Sequence, residues 1–120
     1  METNGMDKVR LIFRMTIDAG QIDDFKAVGA QIMDIVRDKG HHTLEYEWFL
    51  NEETSEAVVL ETFADSDALL AHARMIGDLG VRLFSLGRIE NLWLCGDVSQ
   101  QVLETTAGFG PTPYALLQEK

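Results

Sequence analysis

From Val9 to Ile17 the side chains alternate. Val9, Leu11, Phe13, Met15 and Ile17 share one face, and Arg10, Ile12, Arg14 and Thr16 share the other. A period of two is that of a half-buried strand. Asp18-Ala19-Gly20 interrupts it, and the spacing then changes to three and four. Ile22, Phe25, Val28, Ile32 and Val36, with Ile35 beside them, predict an amphipathic helix. Asp23 and Asp24 stand in its first turn and Arg37 and Lys39 in its last, each complementing the helix dipole. Gly40 suits the C-terminal end.

Alternation returns at Leu44 to Leu50. Leu44, Tyr46, Trp48 and Leu50 lie on one face, and Glu45, Glu47 and Phe49 on the other. The polar turn Asn51 to Ser55 joins this strand to a third, Ala57 to Phe63, so the two read as a hairpin. Asp65 or Ser66 caps a second helix with the stripe Leu69, His72 or Ala73, Ile76, Leu79 or Gly80, and Leu83. Gly77 and Gly80 weaken that helix, so it bends or restarts there. A fourth strand runs from Ile89 to Gly96, with Trp93 and Cys95 on one face and Leu92 and Leu94 on the other.

The order β-α-β-β-α-β predicts a ferredoxin-like α+β fold: a four-stranded antiparallel sheet with both helices on one face. Ile12, Phe49, Leu60 or Leu94 on the opposite face are too apolar for open water, so a second copy of the sheet is expected to cover them. Residues 1–96 form this domain. Residues 97–120 are an extension: Val98 to Thr105 suits a short helix, residues 108–113 are rich in turn formers, and Tyr114, Leu116 and Leu117 make a small apolar anchor. With Phe109 and Tyr114 it is expected to pack on the body or on a partner subunit.

The chain is 120 residues long, 46% hydrophobic and 25% charged, as an ordinary globular domain is. Its net charge of −10, with ten basic residues dispersed among twenty acidic ones, argues against nucleic acid and against an anionic membrane surface. No apolar run is long enough to span a membrane. Met1 to Lys8 lack the apolar core of a secretory signal, and the lone Cys95 cannot form an internal disulfide; both point to the cytoplasm.

Few residues carry a chemical pattern. His41 and His42 are adjacent at a strand entrance and point to opposite faces, so with Glu45 and Glu47 they read as solvated side chains and not as metal ligands. Cys95 has no flanking base and reads as a small buried hydrophobe. His72 is the informative residue. From Asp65 to His72 a helix climbs about 10 Å, and from Ala64 back to Glu61 a strand covers about 10 Å. The helix runs back over the sheet, so Glu61 and His72 reach the same height. If Glu61 faces the helices, a carboxylate–imidazole pair results, either structural or catalytic. Tyr46, Trp48, Phe63 and Trp93 form an aromatic set that serves as core or encloses a flat ligand. Arg14 is a candidate partner for a carboxylate or phenolate, or for a salt bridge between subunits.

The stretch Val58-Val59-Leu60-Glu61-Thr62-Phe63-Ala64-Asp65-Ser66-Asp67-Ala68-Leu69-Leu70-Ala71-His72 resembles the signature of antibiotic biosynthesis monooxygenase-like domains. Gly20-x-x-x-x-Phe25 and Leu44-Glu45-Tyr46-Glu47-Trp48 are similar to it as well, and the resemblance spans residues 9 to 96. It implies pairing into a dimeric α/β barrel with a pocket between the sheet and helices of each subunit. Activities implied by the superfamily diverge: oxidation of phenols or quinols by O₂ without metal or flavin, haem degradation, or none. The haem-degrading branch carries an Asn on strand one, a Trp on the second helix and a His about ten residues later. Strand one here has no Asn, His72 stands at the place of the Trp and Arg82 at that of the His, so haem degradation is not expected.

The expectation is therefore a homodimeric, cytoplasmic monooxygenase-like protein that needs no metal, flavin or haem. Its substrate would be a small phenol or quinol. His72, held by Glu61, would take the phenol proton, with Tyr46, Trp48, Trp93 and Arg14 binding substrate. The alternative is a non-catalytic ligand-binding or interaction protein of the same fold, in which the pair is structural.

Overall fold

A computed structural model describes residues 7–120. Most of the polar opening segment that argued against a secretory signal lies outside them. The elements are β1 (Val9–Ile17), α1 (Ile22–Lys39), β2 (Thr43–Asn51), β3 (Glu56–Phe63), α2 (Ser66–Phe84), β4 (Gly87–Cys95), α3 (Gln100–Thr106), a 3₁₀ turn (Ala107–Phe109) and β5 (Thr112–Tyr114). The sheet order is β2-β3-β1-β4-β5. The first four strands pair antiparallel, as the β-α-β-β-α-β pattern requires. A fifth strand not foreseen in the sequence adds parallel to β4, with Trp93 opposite Thr112 and Cys95 opposite Tyr114. The fold is ferredoxin-like α+β, with one strand more than the pattern predicts.

Helices α1 and α2 cover one face. Val9, Phe13, Met15 and Ile17 from β1 and Val59 and Phe63 from β3 are buried beneath Phe25, Val28 and Ile32 of α1 and Leu69 and Leu83 of α2. Two β-bulges adjust the alternation. At the start of β2 the pairing skips from Thr43 to Glu45, which leaves Leu44 exposed and separates it from the inward residues Tyr46 and Trp48 with which parity had grouped it. In β4 it skips from Ile89 to Asn91, against Met15 and Arg14.

Leu94 corrects an expectation. It is paired with Leu11 and fully buried on the helix side, whereas Ile12, Leu60 and Trp93 lie in register on the opposite face. Cys95 is half-buried, not enclosed, because it flanks the β5 edge.

The sequence also fixes the helix ends. Asp65 is the N-cap of α2, its carboxylate accepting from the Ala68 N–H at 2.8 Å. Within α2, Gly77 leaves helical geometry, with φ 44° and ψ −120°. A residue with a Cβ adopts that conformation only under strain, so the break depends on glycine.

Candidate functional site

Inward residues of β3 alternate as Ala57, Val59, Glu61 and Phe63. The Asp65 cap starts α2 at once, and two turns later the helix stands over the strand. Glu61 Oε1 and His72 Nε2 are 3.2 Å apart, with the two side chains only 7% and 6% exposed. Tyr46 pairs with Glu61 across β2 and β3. The Tyr46 and Phe63 rings each lie 5.1 Å from the His72 ring, the first edge-on. The imidazole is thus held by one carboxylate and two aromatic rings. Its second nitrogen, Nδ1, is buried with no hydrogen-bond partner among the described residues.

Glu61, His72 and Tyr46 border a cavity of about 120 Å³ between sheet and helices. Side chains such as Leu11, Phe13, Leu69, Ile76 and Leu92 make its wall largely carbon. Burial pushes the Tyr46 phenol far above its ordinary range, the Glu61 carboxylate adds to this, and the Trp48 indole opposes it weakly. Tyr46 therefore stays a neutral donor. His72 also borders a second cleft of about 100 Å³, near Lys39, His41 and His42. Among the described residues no three His, Cys, Asp or Glu side chains are arranged to hold a metal ion, and no helix is long and apolar enough to cross a membrane.

The other sequence candidates lie elsewhere. Trp48 faces inward next to Tyr46, with ring centroids 5.7 Å apart, but it packs on α1 against Phe25 and Gly29 and lines a separate cleft. A Cβ at Gly29 would meet the Trp48 ring at 2.9 Å, so glycine there permits the approach. Trp93 is opposite Ile12 on the far face of the sheet, away from the cavity. Arg14 is on that face too, donating from Nε to Asn91 Oδ1 at 3.0 Å and bonded to Glu56. Neither can reach a ligand held between sheet and helices of this subunit. Apart from Leu44 at the bulge, parity grouped these strand residues correctly, but it does not say which face the helices cover.

Among the cavity residues absent from the sequence reading of the site are Phe84 at the end of α2, and Thr105, Thr106 and Phe109 from the extension. The available signal was Phe109, a large aromatic set between Gly108 and Gly110.

A ferredoxin-like sheet with an apolar cavity under its helices, and a buried acid–imidazole pair at the cavity wall, places the chain among small α+β proteins with an internal pocket. The chain belongs to the antibiotic biosynthesis monooxygenase family, whose pattern matches residues 8–75. Solved structures with the same fold include MupZ from Pseudomonas fluorescens, 20% identical with a TM-score of 0.84, which covers 100% of this chain and 93% of its own. An antibiotic biosynthesis monooxygenase is 19% identical with a TM-score of 0.64, covering 76% of this chain and 99% of its own. A variant of SnoaB, a cofactor-independent oxygenase from Streptomyces nogalater, is 16% identical with a TM-score of 0.62, covering 79% and 95%. Of these three, the first covers the whole of this chain, the C-terminal arm included. No curated protein matches the chain by sequence.

Proposed function

We propose that this protein is a cofactor-independent monooxygenase acting on a small phenol or quinol. The observation that carries the reading is the buried Glu61–His72 pair at the wall of an apolar cavity. In the neutral pair the Nε2–H donates to the Glu61 carboxylate, which fixes the tautomer and leaves the Nδ1 lone pair free. His72 takes the phenol proton, and Tyr46, held neutral, donates to the resulting phenolate. The electron-rich phenolate passes one electron to O₂. The radical pair then recombines at an open ring carbon to give a peroxide anion, which takes back the proton from His72; the resulting hydroperoxide loses water to leave a quinone. One phenol and one O₂ thus give one quinone and one water, with the substrate supplying every electron. SnoaB, described as a cofactor-independent oxygenase, has this fold.

In this reading the protein works in the cytoplasm as a homodimer joined through the outer sheet face. Phe49 is 52% exposed there, and Ile12, Leu60 and Trp93 lie on the same face. Trp93 and Arg14 then belong to the subunit interface. Oxygen uptake with a panel of phenols and hydroquinones tests the activity. Wild type should exceed the uncatalysed rate, and His72→Ala, still folded, should lose about 10²-fold or more. A second reading, a binding protein without turnover, is favoured by how deeply the pair is buried, as structural polar pairs are. Ligand binding without oxygen uptake by wild type would select it.

A further inference from the structure

The cavity wall is completed by chain that lies outside the β-α-β-β-α-β body. Phe109 packs on Phe84 at 5.1 Å between ring centroids, and Phe84 packs edge-on against Phe13 at 5.5 Å. Three rings thus run from the sheet, through the end of α2, to the C-terminal arm. Phe109 is 40% exposed, so it stands where the cavity meets solvent.

The arm is anchored at both ends. The Ser99 N–H donates to Ser66 Oγ at 2.9 Å, Val102 is fully buried in the core, and β5 pairs with β4. The turn that presents Phe109 is closed by Gly110 in the left-handed conformation, φ 64°, its N–H donating to Ala107 O. Such anchoring gives the ring a defined position.

The space within the cavity is small. A comparable cavity of about 150 Å³ lined by Leu, Ile and Phe accommodates benzene. At about 120 Å³ the space under α2 matches a single ring. On the side of the arm the wall is made by Phe109, Thr105 and Thr106, with Phe84 beside the Phe109 ring, and of these Phe109 and Thr105 are the exposed ones.

We infer that Phe109, presented by the C-terminal arm, sets the size of ligand this site accepts: one aromatic ring fits with the arm in place, and fused rings are excluded. The inference rests on the cavity being the ligand site of the proposed function, but it needs binding alone and no turnover. Phe109 is a positioning and selecting residue with no part in the chemistry.

Phenol, 2-naphthol and 2-anthrol are suitable probes, with dissociation constants measured by calorimetry or NMR. Wild type should bind phenol and discriminate against the two larger probes. Phe109→Ala should shift the 2-naphthol to phenol affinity ratio by at least about tenfold toward the larger ring, the scale on which pocket size discriminates. Thr105→Trp, at an exposed cavity-lining position, should shift the ratio the other way, and it serves as the test if Phe109→Ala does not fold. An unchanged ratio in the folded variants overturns the inference, as does wild type that binds no phenol. Binding with the expected selection but no oxygen uptake would sink the oxygenase and leave the size filter standing.

Discussion

Glu61 and His72 are eleven positions apart in sequence and meet at 3.2 Å, a carboxylate under an imidazole with almost no access to water. Because the pair is buried, removing one partner is costlier than altering it. Glu61→Ala leaves the imidazole without its acceptor and should lower unfolding free energy by about 1–3 kcal/mol. Glu61→Gln keeps an oxygen that accepts from Nε2–H and should cost less than Glu61→Ala. Urea denaturation of the three proteins checks this order, and equal losses would argue against a hydrogen bond between the two side chains.

Tyr46 gives a signature in pH. Its folded pKa is raised above the unfolded value of about 10, first by burial and then by Glu61. The stabilisation from holding the neutral phenol is complete below the unfolded pKa. It declines as pH rises above about 10 toward the folded value, because the unfolded chain then releases a proton that the folded chain keeps. Between about pH 9 and about pH 11, Tyr46→Phe should lose stability less steeply than wild type. Denaturation midpoints across that range decide it, and parallel slopes would contradict it.

The break at Gly77 makes a simple backbone prediction. Nothing lies within 4 Å of a Cβ built there, so a substitution meets no steric neighbour and only the positive φ matters. Gly77→Ala should destabilise by about 1–3 kcal/mol despite alanine's higher helix propensity. A gain in stability would mean that α2 can close into one continuous helix in solution.

The proposed dimer has its own test. A stable interface over the outer face should bury at least about 1,000 Å² in total. Wild type should sediment at twice the chain mass at micromolar concentration, and Phe49→Glu should shift it toward a single chain with its circular dichroism unchanged. Wild type sedimenting as a single chain would refute the interface.

The body and the Glu61–His72 pair were legible because both depend on local regularities. Strand alternation, helical spacing and a short connection at Asp65 determine the height of His72 over β3. What stayed hidden depends on distant packing. Both faces of β4 are apolar, Leu92 and Leu94 on one and Trp93 and Cys95 on the other, so hydrophobicity alone could not say that Leu94 is the inward one. The same ambiguity drew Trp93 and Arg14 toward the cavity, although both pair across the outer face. The role of Phe109 at the cavity follows from the arm's route back along β4, for which no periodic signal exists.

Strand β5 has three residues and all are exposed, so it adds little to the core. Its consequence is for how the protein behaves in a crowded solution. A bare β4 edge would offer unpaired backbone groups beside Trp93 and Cys95, a template on which another chain could add. With β5 in place that edge is occupied, and β2, at the other end of the sheet, presents Glu45 and Glu47 among its exposed side chains. Charged side chains discourage edge-to-edge pairing. Loss of the last ten residues, β5 included, should therefore appear as turbidity and rising scattered light on storage well before it appears as a lower melting temperature.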